Sequence, residues 1–177
     1  MAGHLSSPLD VFVPSTNVSY YTVPVAWLLA FAPHIYAAGR YSVLTGTRPV
    51  DAKSRASDQK DKNLAFNKTS PRTFMSLVES NPRLSQDKKD ELFRAEAAHS
   101  NGMENLGWFA ASVVAANSAG VDVSWCNALS LWYLANRVVY NVFYVRGVGG
   151  MVRGAPFYGS IAAIVSLYIK AGNAVRR

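Results

Sequence analysis

Four long apolar segments are the feature of this 177-residue chain that most restricts its fold. A helix must present roughly 20 mostly apolar residues to cross the hydrocarbon core of a bilayer. The first segment, VPVAWLLAFAPHIYAAGRYSVL, meets that length, whereas the second begins with polar turns and the fourth is the shortest. The sequence predicts an all-α integral membrane protein, a four-helix bundle forming one domain over residues 1–177. Its spans are predicted at about residues 23–44, 90–119, 125–145 and 156–171.

The basic residues are concentrated in one loop. The formal net charge is +7, but no Lys or Arg precedes Arg40, and eleven of the eighteen lie between Arg48 and Arg94. A basic loop beside apolar segments is typical of the cytosolic side of a membrane, where it faces anionic lipid. We therefore predict a cytosolic loop over residues 45–89, a lipid bilayer as partner, and no nucleic-acid partner.

The same rule orients the spans. With residues 45–89 and 146–155 on the cytosolic side, both termini and the turn at 120–124 lie opposite. The Gly-rich stretch RGVGGMVRGAP is predicted to be a connection between the third and fourth spans. Three basic residues oppose this orientation because they fall on the non-cytosolic side, namely Lys170, Arg176 and Arg177.

Polar side chains recur at helical spacing near the predicted cytosolic ends of the spans. On the second helix, separations of seven and three residues place Arg94, Asn101 and Glu104 close to one face. A stripe on the third helix has separations of three and four residues, and its members are Arg137, Tyr140 and Tyr144. Arg153 stands just before the predicted fourth span.

These polar residues admit two interpretations. They could pair with one another to hold the bundle together, and for the deeply placed Arg137 this explanation is as good as a ligand-binding role. In the whole set, however, three arginines face one glutamate, and unpaired Arg at membrane depth requires an anion. The spacing therefore favours an anion-binding site. His99 lies one position off the stripe, which favours a structural or interface role over a general base. No metal site is predicted.

Two segments, RAEAAHSNGMENLGWFAASVVAA and NRVVYNVFYVRGVGGMVR, carry a resemblance to the MAPEG family. These are membrane-associated proteins of eicosanoid and glutathione metabolism, including microsomal glutathione transferases and leukotriene and prostaglandin E synthases. The resemblance covers roughly residues 93–158 and rests on two motifs together, Arg-x-x-Ala-x-His-x-Asn-x-x-Glu and Arg-x-x-Tyr-x-x-x-Tyr. The first half of the chain matches only as an apolar span followed by a basic loop.

The resemblance implies a homotrimer in the endoplasmic reticulum (microsomal) membrane, with the mitochondrial outer membrane as the alternative. It implies glutathione as cosubstrate, bound between protomers near the cytosolic face, and an apolar small-molecule substrate. Arg153 is implied to be the catalytic arginine beside the thiol. The residues implied to hold glutathione are Arg94, Asn101, Glu104, Tyr140 and Tyr144.

The sequence departs from the family's pattern at three places. Gly154 stands where some prostaglandin-forming members have serine, so a serine-assisted mechanism is unsupported. Tyr140 replaces a histidine found in some relatives. The family's arginine on the first helix could correspond to either Arg40 or Arg48.

Three functions are compatible with the sequence. The preferred one is a glutathione-dependent membrane transferase, peroxidase or isomerase that acts on an apolar electrophile through an arginine-stabilised thiolate. The alternatives are a non-catalytic lipid-binding scaffold of the same fold and a glutathione-independent isomerase or cyclase of a specialised metabolite. Catalysis is not guaranteed by the fold, because one fold can host several functions.

Overall fold

The computed structural model describes residues 15–47, 64–67 and 70–176, and these residues are predominantly helical. A 3₁₀ turn at Pro71–Thr73 leads into the short helix α2. The five α-helices are α1 (Ser19–Thr45), α2 (Phe74–Ser80), α3 (Gln86–Ser118), α4 (Val123–Val145) and α5 (Gly150–Val175). The predicted all-α fold is confirmed for the described residues. Arg48 and most of the basic loop lie outside them.

Helix α1 is built with its small residues inward and its large apolar residues outward. Its buried positions recur every three or four residues, and they are Ser19, Thr22, Ala26, Ala30, Pro33, Ala37, Tyr41 and Thr45. Its exposed side chains include Leu28, Ile35 and Val43, of which Val43 is 74% exposed. Helices in lipid gain little from the hydrophobic effect when they associate, so they depend on the close backbone packing that small residues allow. This inverted pattern fits a helix whose outer face contacts acyl chains.

Two of the helices in the described ranges are long and apolar enough to cross a membrane, and these are α1 and α5. Helix α3 does not meet that criterion because its first half is polar. Helix α4 is not apolar enough either, because polar residues such as Asn127 and Arg137 lower its mean hydropathy. The number of four spans therefore stays a prediction.

The four long helices pack into a bundle in which α3 and α4 contact all of the other long helices. A close approach lies between α1 and α3, where the Gly102 backbone meets Ala30. A Cβ atom on Gly102 would stand 2.8 Å from the Cβ and 2.9 Å from the Cα of Ala30. Glycine at this position is what lets the polar half of α3 lie flush against α1.

The two ends of the bundle are closed differently. At the end that we call the Asn117 end, the Asn117 side chain donates to the Ser19 hydroxyl over 2.9 Å. There Asn127 also accepts from the Val18 amide over 2.9 Å, which fixes the start of α1. At the opposite end, the Arg153 end, α2 packs into a cluster containing Phe74, Tyr41, Val78, Leu84 and Leu92. Part of the predicted 45–89 loop is therefore packed structure.

The predicted connection at 146–155 is mostly wrong, because α5 begins at Gly150. Only residues 146–149 link α4 to α5. Gly147 adopts a φ of 71°, a left-handed conformation that glycine reaches without a steric cost, and this turns the chain directly after α4. Pro156 lies inside α5 rather than ahead of it. Arg153 therefore projects from the first turns of a helix.

Replacing Gly102 with alanine should loosen the bundle. The added methyl group would meet the Ala30 backbone, and overpacking of this kind costs about 1–3 kcal/mol. The matched control is Gly107→Ala on the same helix, where a Cβ atom meets nothing within 4 Å. There alanine should stabilise by about 0.5–1 kcal/mol. Thermal unfolding in detergent measures both, and equal midpoints for the two variants would contradict this packing.

Candidate functional site

A cavity of about 290 Å³ opens at the Arg153 end, where α3, α4 and α5 converge. Its lining residues are Asn101, Tyr140, Tyr144, Gly150, Arg153, Gly154, Phe157 and Tyr158. Four of the six residues predicted to form the site therefore come together here, from three different helices. The other lining residues come from the first turns of α5.

Two guanidinium groups and two tyrosine rings form a continuous series at this cavity. The Arg137 guanidinium carbon lies 5.3 Å from the centre of the Tyr140 ring. The Tyr140 and Tyr144 ring centres are 5.3 Å apart. The Arg153 guanidinium carbon lies 4.4 Å from the centre of the Tyr144 ring. Cations are attracted to the faces of aromatic rings, so each tyrosine helps to hold one arginine.

Arg137 is a buried part of the framework rather than a wall of the cavity. It is 4% exposed, and its Nη1 donates to the Asn101 Oδ1 over 3.0 Å. Its Nη2 donates to the Asn101 carbonyl over 3.1 Å, and its Nε donates to the Tyr133 hydroxyl over 3.3 Å. The structural interpretation of Arg137 is therefore the one that its contacts favour. Asn101 has two roles, since it accepts hydrogen bonds from Arg137 and also lines the cavity.

Arg94 and Glu104 do not line this cavity. The Arg94 Nε donates to the Val145 carbonyl over 3.2 Å, and its guanidinium lies against the Gly147 backbone. Arg94 thus caps the end of α4, where carbonyl groups have no partner within the helix. Glu104 is exposed on α3. Both residues lie on α3, the helix on which they were predicted, but neither is among the residues that line the cavity.

The other candidates from the sequence have structural partners. The Arg40 Nε donates to the Glu91 carboxylate over 3.0 Å, which joins α1 to α3. The His99 Nδ1 lies 2.9 Å from the Ala30 carbonyl oxygen, beside the close approach at Gly102. Neither residue lines the cavity. The expected structural role of His99 agrees with this contact.

The cavity is electropositive. Within the described part of the chain, neither Arg137 nor Arg153 forms an ion pair with a carboxylate. Helix α5 adds to this field, because its N-cap residue is Gly149 and no side chain caps its first amides. Unpaired amides and the helix dipole at an N-terminus favour an anion. The site is therefore suited to a ligand that carries negative charge.

Sequence reasoning missed the contributions of Gly150, Phe157 and Tyr158. A helix beginning at Gly150 places residues 150, 153, 154, 157 and 158 on one face, by the usual spacing of three and four. This spacing is visible in the sequence, but it was not used because the glycines of RGVGGMVRGAP were predicted to form a connection between helices.

Removing the Arg137 side chain should destabilise the bundle. Arg137→Ala leaves Asn101 and Tyr133 without their buried partner, and each orphaned group costs about 1–3 kcal/mol. Arg146→Ala is the matched control, because Arg146 is exposed just beyond α4. Thermal unfolding in detergent should show a lower midpoint for Arg137→Ala and little change for Arg146→Ala. An unchanged midpoint for Arg137→Ala would show that Arg137 is dispensable to the framework.

Comparison with known proteins places the chain in one family. Neither curated proteins nor solved structures gave a significant match. A family model described as the MAPEG family matches residues 18–173, which is nearly the whole chain. The resemblance carried by residues 93–158 is thereby confirmed and extended to the first helix. The chain belongs to the MAPEG family.

Proposed function

We propose that this integral membrane protein is a glutathione-dependent transferase, peroxidase or isomerase acting on an apolar electrophile. The observation that carries the proposal is the Arg153 guanidinium, which lies over the Tyr144 ring and forms no ion pair with any residue that the structure describes. The described lining of its cavity contains no carboxylate. The family to which the chain belongs includes glutathione transferases and related enzymes.

The chemistry of the cavity suits glutathione. This tripeptide carries two carboxylates, one ammonium group and a thiol. Arginine recognises carboxylates through a planar fork of N–H donors, and the amides at the start of α5 offer further donors. The hydroxyls of Tyr140 and Tyr144 and the amide of Asn101 supply neutral hydrogen-bonding groups around them. Glu104 is the group proposed to take the ammonium.

Arg153 is proposed to stabilise the thiolate. A free thiol has a pKa of about 8.5, and a nearby cation lowers it. With the proton released to solvent, the thiolate sulfur donates its electron pair to the electrophilic atom of the substrate. With a carbon electrophile, a carbon–sulfur bond forms while the leaving group, or the oxygen of an opened epoxide, departs with the bonding pair. With a peroxide, a sulfur–oxygen bond forms as the O–O bond breaks, and a second glutathione thiol then reduces the sulfenic acid to the disulfide, with release of water. The serine-assisted alternative lacks its residue, since Gly154 follows Arg153.

A homotrimer is proposed because one protomer supplies only part of the site. The cavity of about 290 Å³ is at the lower limit of ligand pockets, which typically span about 300–1,000 Å³. Arg94 and Glu104 do not line it, and a neighbouring protomer is proposed to complete the site with these two residues. The apolar substrate would enter from the bilayer past Tyr158, which is 70% exposed. The endoplasmic reticulum is the proposed membrane.

Arg153→Ala should raise the pKa of bound glutathione's thiol and lower turnover. Loss of a group that stabilises developing charge typically costs about 10²–10³ in kcat. The measurements are ultraviolet titration of the thiolate in the complex and turnover of a small aryl halide. Arg153→Lys is the matched control, because it keeps the positive charge and should retain part of the pKa shift.

Two results would select the other functions. Absence of glutathione binding to the wild type, together with lipid binding that survives Arg153→Ala, would indicate a non-catalytic scaffold. Conversion of substrate without any thiol would indicate a glutathione-independent isomerase or cyclase. An unchanged thiol pKa in Arg153→Ala would contradict the thiolate role of Arg153 even if glutathione binds.

A further inference from the structure

A second polar cavity, of about 350 Å³, lies at the Asn117 end of the bundle. It is formed between the turn that joins α3 to α4 and the last turns of α5. Its lining residues are Gly120, Val121, Asp122, Trp125, Lys170, Asn173 and Ala174. Lys170 and Arg153 are 17 positions apart on α5, or about 25 Å at 1.5 Å per residue. This cavity is therefore separate from the Arg153 site.

The cavity keeps two opposite charges apart. Among the residues that the structure describes, neither Asp122 nor Lys170 forms an ion pair. The Asp122 Oδ1 accepts from the Ser124 amide over 2.9 Å, which fixes the carboxylate as the N-cap of α4. The Lys170 Nζ, on a side chain that comes from α5, lies 3.4 Å from the centre of the Trp125 ring, which holds the ammonium group against the first turn of α4. Both groups thus have fixed positions, and neither charge is neutralised by an ion pair with a residue that the structure describes.

We propose that this cavity binds the zwitterionic headgroup of a phospholipid with a primary ammonium, of the phosphoethanolamine type. The ammonium would donate to the Asp122 carboxylate, and the phosphate would accept from Lys170 and from the Asn173 side-chain amide. Hydrogen bonds between charged groups are the strong ones. A ligand that carries both charges pairs with both Asp122 and Lys170, whereas a simple anion would be repelled by the Asp122 carboxylate.

The surroundings identify the ligand as a lipid rather than a soluble zwitterion. Trp and Lys side chains at the ends of apolar helices typically occupy the headgroup region. Exposed apolar side chains continue from the cavity along one face of α5, where Ile169 is 57% and Val165 is 41% exposed. Acyl chains attached to the headgroup would lie along that surface. The same site accounts for Lys170, a basic residue on the side opposite the basic loop.

Native mass spectrometry of the delipidated full-length protein tests the proposal. The probes are phosphatidylethanolamine, phosphatidylcholine and phosphatidylglycerol with identical acyl chains, and soluble glycerophosphoethanolamine. The wild type should retain phosphatidylethanolamine best, because a choline group cannot donate to Asp122 and glycerol carries no positive charge. Glycerophosphoethanolamine should compete only weakly.

Two variants remove one charge each. Asp122→Asn keeps an N-cap side chain, and Lys170→Gln keeps most of the aliphatic stem, so both should fold. Each should weaken phosphatidylethanolamine retention about tenfold, as expected for the loss of one charged hydrogen bond. Arg176→Gln is the matched control, since Arg176 is exposed at the same end but does not line the cavity. It should leave retention unchanged.

Three outcomes would overturn the proposal. The first is equal retention of the three lipids by the wild type. The second is unchanged phosphatidylethanolamine retention in both Asp122→Asn and Lys170→Gln. The third is competition by glycerophosphoethanolamine as strong as that of the lipid, which would assign the cavity to a soluble zwitterion. None of these measurements depends on glutathione, so the outcome is independent of the proposed enzymatic function.

Discussion

The buried guanidinium of Arg137 is the constraint on which the site at the Arg153 end depends. It is held by neutral partners, Asn101 on α3 and two tyrosines on α4, rather than by a carboxylate. A buried charge is costly unless it is hydrogen-bonded, and these contacts meet that need without cancelling the charge. The Arg137 charge is therefore not neutralised by these partners, and the Tyr140 and Tyr144 rings lie between it and Arg153. A negatively charged ligand in the cavity would contact Arg153 and would also be attracted by the buried charge of Arg137.

Close helix packing makes that arrangement possible. Gly102 stands next to Asn101 on α3, and its contact with Ala30 sets the distance between α1 and α3. A similar approach occurs between α4 and α5, where a Cβ atom on Gly159 would stand within 3.0 Å of the Asn136 carboxamide carbon. Small residues therefore fix the distances between the helices, and these distances determine where the neighbouring polar side chains lie. On α1 the large apolar side chains, such as Leu28, Ile35 and Val43, are turned outward.

Much of this could be predicted from the sequence because it depends on local periodicity. The long helices α1, α3 and α4 lie within a few residues of the predicted apolar segments. The grouping of Asn101, Tyr140, Tyr144 and Arg153 followed from helical spacing and from the family motifs, and the structure brings all four to one cavity.

The rest depends on tertiary contacts that periodicity does not report. The bond from Arg94 to the Val145 carbonyl requires knowing that α3 passes the end of α4. The start of α5 was misplaced because glycines that usually interrupt helices here form its cap and first turn. The cavity at the Asn117 end was equally hidden, since Asp122 and Lys170 are 48 positions apart in the chain and meet only through packing.

The most direct test of the account is a cryo-electron microscopy map of the purified protein in saturating glutathione. We expect tripeptide density in the cavity lined by Tyr140, Tyr144 and Arg153, with the sulfur nearest the Arg153 guanidinium. We also expect this density at a boundary between protomers, in reach of a neighbour's Glu104. An empty cavity under these conditions, or glutathione bound away from Arg153, would contradict the central claim.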